Sequence, residues 1–239
     1  MAAIPARTLR AVLVDLDGTL LDTAPDLAHA ANAARQAFGL PPLAVARIAQ
    51  FVGKGTDMLV QRALTDALDG RLDAASFERA KQVFEESYRG INGTLSRVFD
   101  RVPEALELLR SAGLGLACVT NKPSQFTLPL LQRCGLFPRL DVVACGDQVA
   151  RRKPFPDLIE LACARLQVAP GQALLIGDSL NDAQAAHAAG SGSVLVETGY
   201  NEGESVHDLA GAAGVGGIFP GLFEAAHWIL QHAGASPGA

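Results

Sequence analysis

The sequence predicts an α/β fold, a parallel Rossmann-like sheet with an all-helical module inserted after its first strand. Three patterns predict it. Five short apolar runs are nearly continuous instead of alternating, which is how strands covered on both faces read. The later runs are separated by helical patterns, the rhythm of strand-helix-strand crossovers. Residues 23–92 hold helical patterns alone, and roughly seventy residues is too long for an ordinary crossover.

The first strand is expected at Ala11 to Val14, ending in Asp15-Leu16-Asp17-Gly18-Thr19. The inserted module follows, with helices over Ala24 to Phe38, Thr56 to Leu68 and Ala74 to Tyr88. The chain returns to the sheet near Thr94, so the expected core is 1–21 with 95–239 and the expected cap is 22–94. Further strands are read at Leu114 to Val119, Asp141 to Cys145, Ala173 to Ile176 and Ser193 to Val196. Helices are read at about 102–113, 124–135, 155–167, 181–189 and 221–233, before a Gly, Ala and Pro-rich tail after Gln231.

Composition narrows the class. The 239-residue chain is 49% hydrophobic and 19% charged with a net charge of -5, as in ordinary globular proteins. The short run Arg151-Arg152-Lys153 is the strongest basic cluster, so nucleic acid is not expected as a partner. Arg7 and Arg10 precede no signal-peptide core, and no apolar stretch is long enough for a bilayer. A cytoplasmic protein without a membrane partner is expected, as monomer or homodimer. Cys118, Cys134, Cys145 and Cys163 are widely spaced and read as reduced thiols.

Chemistry should gather at the carboxyl ends of the strands, where open α/β sheets bind ligands. Asp15 and Asp17 are two residues apart and face the same way as the first strand ends. Two crowded carboxylates need a cation or a shared proton. After the second run come Thr120, Asn121 and Lys122, donors suited to phosphate oxygens, although Thr120 and Asn121 also suit a helix cap before Pro123. Lys122 could reach the site or lie exposed. Lys153 follows the third run at the lip of a helix, and Gly177-Asp178-Ser179-Leu180-Asn181-Asp182 follows the fourth, where Asp178 suits a hard cation or a cap. The chain holds only four lysines against sixteen arginines, and two of the four stand at these strand ends.

In order, Asp15-Leu-Asp-Gly-Thr, Thr120-Asn-Lys, Lys153-Pro and Gly177-Asp-Ser-Leu-Asn-Asp resemble the four signature motifs of the haloacid dehalogenase (HAD) superfamily, and the insertion resembles its C1 cap. Asp22-Thr-Ala-Pro-Asp-Leu-Ala, Gly39-Leu-Pro-Pro, Val52-Gly-Lys-Gly, Arg62-Ala-Leu, Ala117-Cys-Val-Thr-Asn-Lys-Pro and Gly199-Tyr-Asn-Glu-Gly-Glu are similar to bacterial phosphoglycolate phosphatases. Phe51 and Lys54 depart from the usual cap loop.

The resemblance implies a Mg²⁺-dependent phosphomonoesterase acting on a small phosphoester, with 2-phosphoglycolate as the expected substrate. It implies Asp15 as nucleophile and Asp17 as general acid and base. Thr120, the Asn121 amide and Lys153 would take phosphoryl oxygens. Mg²⁺ would be held by Asp15, the Asp17 carbonyl and Asp178, with Asp182 behind them. Gly53 and Lys54 would place the cap loop, and an ammonium, beside the substrate tail. His29 reads as a surface or packing residue of the first cap helix, and His187, His207, His227 and His232 have no acidic or cysteine partners at ligand spacing; Arg62 and Trp228 read as structural, Tyr200 and Asn201 as rim residues. Other readings are a sugar-phosphate phosphatase, a pyrophosphatase, a sugar phosphomutase, a dehalogenase, or a phosphate-storing receiver-like signalling module, which would have no use for Asp17 or for a cap.

Overall fold

The computed structural model describes residues 9–232; the leading segment with Arg7 and the tail beyond His232 lie outside them. The elements in chain order are β1 (Ala11–Val14), β2 (Leu21–Asp22), α1 (Ala24–Ala37), α2 (Val45–Ala49), α3 (Thr56–Thr65) and α4 (Ala74–Ile91). There follow β3 (Arg97–Val98), α5 (Val102–Ser111), β4 (Gly115–Thr120), α6 (Ser124–Arg133), β5 (Val142–Cys145) and α7 (Asp157–Leu166). The chain closes with β6 (Ala173–Gly177), α8 (Leu180–Ala189), β7 (Gly192–Val196), β8 (Val215–Phe219) and α9 (Leu222–His232).

Six strands form one parallel sheet in the order β5-β4-β1-β6-β7-β8. This is the α/β fold expected from the continuous apolar runs. Alternate residues of each strand point to opposite layers. Val12 and Val14 of β1, with Leu116 and Ile176, pack against Leu106 and Leu109 of α5 and Ala225 and Ile229 of α9. Ala11 and Leu13, with Ala117 and Leu175, pack against Leu158, Ile159 and Ala162 of α7 and Ala185 and Ala186 of α8. All four residues of β1 are fully buried, so its carboxyl end is held from both faces and both edges.

Helices α1 to α4 bury a separate apolar cluster that includes Leu27, Ala31, Phe51, Val60, Phe84 and Tyr88, joined by Phe126 of α6. The two chains that connect this helical block to the sheet run side by side, because β2 pairs antiparallel with β3 through Leu21↔Val98 and Asp22↔Arg97. Beside that pair, the Asp26 carboxylate of α1 accepts from the backbone N–H of Gly93 (2.7 Å), Leu95 (2.8 Å) and Ser96 (3.1 Å) and from the Ser96 hydroxyl (2.5 Å). Asp26 is fully buried. Asp26→Ala is expected to cost about 3 kcal/mol, since several donors to one charged acceptor lose their partner together. At roughly 2–4 °C per kcal/mol for a domain of this size, Tm should fall by about 6–12 °C. An unchanged melting curve would contradict that account.

Four elements are not expected from the sequence. β8 lies in Val215-Gly-Gly-Ile-Phe, where two glycines erase the apolar pattern. α2 is a five-residue helix, too short to show a helical period. β2 and β3 have two residues each, and only their pairing identifies them.

Candidate active site

The end of β1 places the central carboxylate. The backbone N–H of Asp15 donates to the carbonyl of Ile176 at 2.9 Å, extending the β1–β6 pairing by one residue and fixing the direction of the side chain. The chain then turns at Gly18, whose φ of +96° falls in the left-handed region that favours glycine; a Cβ there would lie 2.6 Å from the Asp178 carboxylate. The turn can thus pass close over Asp178.

Lys153 joins the carboxylates. Its ammonium donates to Asp15 (2.7 Å), to Asp182 (2.6 Å) and to the carbonyl of Val119 (2.9 Å), using all three protons. Asp182, in the first turn of α8, also accepts from the Ser179 hydroxyl at 2.6 Å and from its backbone N–H at 3.2 Å. Asp178 accepts from the N–H of Tyr200 at 2.8 Å and from the Thr19 hydroxyl at 3.3 Å. Oxygens of Asp15, Asp178 and Asp182 lie within 4.8 Å of one another, and all three residues are buried.

The electrostatics follow from that crowding. Burial pushes the Asp15 carboxyl up to about 7, against the pull of Lys153 and with further push from Asp182 and Asp17. Burial, then Asp182 and Asp15, raise Asp178 well above the usual carboxylate range. Lys153 is held above its ordinary value because Asp15 and Asp182 outweigh its burial. Three buried carboxylates around one ammonium leave an excess negative charge that a divalent cation would balance, and an all-oxygen donor set suits a hard one.

Asp17 stands apart from this cluster. Its carboxylate accepts from the Lys122 ammonium at 2.8 Å and from the Thr23 hydroxyl at 2.5 Å. The structure therefore resolves the two placements left open for Lys122: it is 5% exposed, with the ring of Tyr88 from α4 lying 5.1 Å away. Asp17 raises the Lys122 pKa despite the opposing effect of burial.

Asn121 links the sheet to the loop between α2 and α3. Its side chain donates to the carbonyls of Gly53 (2.8 Å) and Lys153 (2.9 Å) and accepts from the Lys153 N–H (2.8 Å). Thr120 Oγ1 accepts from the Lys122 N–H at 3.1 Å and, with its residue 2% exposed, lies at the floor of the site.

Two small cavities flank the carboxyl end of β1 and share Asp15, Asp17, Val52 and Gly53 as lining. The first, of about 30 Å³, reaches the α1–α4 block through Leu27, Gly55, Thr56 and Leu59 and the sheet through Thr120, Asn121 and Lys122. The second is bounded by Lys153, Asp178, Asp182, Tyr200 and Glu202. Lys54 lines neither. Its ammonium is 2.9 Å from Glu202, and the same carboxylate meets the guanidinium of buried Arg62 at 2.7 Å. Lys54, the lysine expected beside the substrate tail, thus joins a bridge between the α1–α4 block and the loop after β7.

Arg62, read as structural, belongs to that bridge. Tyr200, read as a rim residue, is half-buried and lines the second cavity. Its hydroxyl donates to Asp22 at 2.7 Å and accepts from the N–H of Thr23 (2.9 Å) and of Ala24 (3.1 Å), while its own N–H holds Asp178. Asn201 accepts from the Leu180 N–H at 3.0 Å. His29 is exposed, and Trp228 stacks beside Phe219 and His232, far from this chemistry in the fold. Cys118, Cys145 and Cys163 are buried and free, and Cys134 is half-buried and free.

Comparison with known proteins adds four relationships. Residues 9–190 match the family of haloacid dehalogenase-like hydrolases. The chain is 46% identical to a phosphoglycolate phosphatase of Nitrosospira multiformis over 93% of its own length and 96% of the relative's. It is 42% identical to an N-acetylmuramic acid 6-phosphate phosphatase of Pseudomonas aeruginosa, covering 80% of this chain and 83% of that one. The crystal structure of a predicted phosphoglycolate phosphatase from Haemophilus somnus superposes with a TM-score of 0.84 at 31% identity, covering 94% of this chain and 98% of that one.

Proposed function

The chain belongs to the haloacid dehalogenase-like hydrolase family, and on that premise we propose that it is a Mg²⁺-dependent phosphomonoesterase hydrolysing 2-phosphoglycolate to glycolate and phosphate through an aspartyl-phosphate. The observation that carries the reading is the separation of two carboxylates at one strand end. Asp15 is embedded with Lys153, Asp178 and Asp182, whereas Asp17 turns to Lys122 and Thr23. That separation supports attack by the first and proton movement by the second.

Asp15 Oδ attacks phosphorus as the ester P–O bond breaks, and Asp17 gives its proton to the departing glycolate oxygen. Asp17 then takes a proton from a water whose oxygen attacks phosphorus, and the Asp15–phosphorus bond breaks to release phosphate. Thr120 and the Asn121 N–H would hold the transferring oxygens, and the Lys153 ammonium beside them would counter their growing charge. The Asp15 and Asp178 carboxylates and the Asp17 carbonyl would hold Mg²⁺, and Asp182 would keep Lys153 oriented between them. When bound, the cation supplies charge neutralisation at the phosphoryl oxygens.

The 22–94 segment would act as a cap over the 1–21 and 95–239 core, a division supported by its separate apolar cluster and by the paired β2 and β3 connections. No helix among the described residues is long and apolar enough to cross a membrane. Together with four free cysteines, this supports work on a small phosphoester in the reducing cytoplasm.

A second reading, a sugar-acid phosphatase, is favoured by the 42% identical Pseudomonas aeruginosa relative. Turnover of 2-phosphoglycolate, N-acetylmuramic acid 6-phosphate, glucose 1-phosphate and pyrophosphate, measured with Mg²⁺ and with a chelator, tests both. The expected result is the highest kcat/KM on 2-phosphoglycolate and its loss under chelation. A higher kcat/KM on the sugar acid would replace the first reading with the second; turnover that survives chelation would sink the Mg²⁺ assignment.

A further inference from the structure

With Lys54 bound to Glu202, the cavity beside Asp15 and Asp17 needs another means of recognising a charged substrate tail. Among the described residues that line it, Lys122 alone carries a positive charge. Its ammonium has three protons and gives one to Asp17, leaving donors for a second carboxylate. Since Asp17 would serve the departing oxygen, a carboxylate one carbon beyond that oxygen comes within reach of Lys122.

The opposite wall is formed by the first turn of α3. Its N-cap is Gly55, at φ +84°, so no side chain caps the helix. The first backbone N–H groups of a helix have no partner within it and carry its positive pole. Thr56, the first residue of α3, lines the cavity and is 9% exposed, and its hydroxyl makes no hydrogen bond among the described residues. With no protein acceptor, the hydroxyl can donate to a ligand oxygen that enters the cavity. A Cβ on Gly55 would lie 3.2 Å from the Asn121 carbonyl, so the helix start is pressed against the end of β4. Leu27, Val52 and Leu59 supply an apolar surface for a methylene.

We infer that Lys122 and the N-terminal turn of α3, with the Thr56 hydroxyl, form the site that reads the carboxylate of a short phosphorylated hydroxy acid. This rests on the assignment of 2-phosphoglycolate as substrate and names the residues that select it. The role given to the cap loop thereby moves from Lys54 to Thr56, two residues along.

The test compares 2-phosphoglycolate with 2-hydroxyethyl phosphate, which replaces the carboxylate by an uncharged CH₂OH group. The unaltered enzyme is expected to prefer the acid. Thr56→Val should lower the ratio of the two kcat/KM values about tenfold, mainly through KM for the acid, as expected for one hydrogen bond to a charged group. Thr56→Ser, which keeps the hydroxyl, should restore the ratio, and Lys122→Met should lower it further. Lys54→Met should change KM for both esters by the same factor. A preference that survives both Thr56→Val and Lys122→Met would overturn the tail site, as would its collapse in Lys54→Met alone. Equal turnover of the two esters by the unaltered enzyme would instead refute the substrate assignment on which the site rests.

Discussion

Asp15→Asn is expected to lower kcat by about 10⁴-fold or more while leaving the protein folded, because an amide is a far weaker nucleophile than the carboxylate it replaces. The substitution preserves shape, and its oxygen can still accept from Lys153. Burial and the neighbouring Asp182 and Asp17 push the Asp15 carboxyl up to about 7. A raised carboxyl pKa means that the folded chain holds the proton more tightly than the unfolded chain, so ionisation costs stability as pH rises from about 4 to 7. The neutral amide escapes that cost. In chelator at pH 8, the variant should therefore melt no lower than the unaltered protein. The combination to measure is phosphate release, trapping of a phosphorylated chain after acid quench, and Tm. Retained turnover, or a labelled intermediate in the variant, would remove Asp15 from its role.

Lys153→Met is expected to act on stability as strongly as on catalysis. The ammonium is 4% exposed and lies between two buried carboxylates. Removing one partner from a buried ionic group costs about 3–5 kcal/mol, because the remaining charge loses its compensation in a medium that solvates it poorly. For a domain of this size that corresponds to a Tm lowered by roughly 6–20 °C. Mg²⁺ offers an internal check. With Asp15, Asp178 and Asp182 left without their lysine, millimolar Mg²⁺ should raise Tm by more in the variant than in the unaltered protein, through binding to the folded state. An equal shift in both would mean that cation and lysine do not share the same carboxylates.

The parts of this molecule that were legible in its sequence were those set by short-range pattern. Continuous apolar runs identified five of the six sheet strands, and polar residues following them identified Asp15, Asp17, Thr120, Asn121, Lys153 and Asp178 as neighbours before any contact was known. Side-chain direction beyond a strand end follows no such pattern. Whether Lys122 turns inward depends on the ring of Tyr88 and the carboxylate of Asp17, which come from elsewhere in the chain. Lys54 was drawn to the substrate by its place on a flexible turn, yet Glu202 reaches it across 148 positions of sequence. Thr56 drew no attention at all. A threonine after a glycine is a common helix start, and only its place in the wall of a cavity distinguishes it. β8 was hidden for the opposite reason, since Gly216 and Gly217 supply no side chains from which a period could be read.

The position of β1 in the middle of the sheet has a consequence in time. Ala11 pairs with Gly115 on one side and with Ala173 on the other, so its partners lie roughly 100 and 160 residues further along the chain, separations typical of slow-forming sheet contacts. A ribosome adding about 5–20 residues each second takes between several seconds and half a minute to deliver them. During that interval the helices of the 22–94 segment, whose contacts are mostly local, can assemble while Asp15 still waits for the strands that will enclose it. Asp15 is therefore among the first of the buried carboxylates to be synthesised and among the last to be seated, and an unfinished chain carries a folded helical block before the strand ends beside it exist.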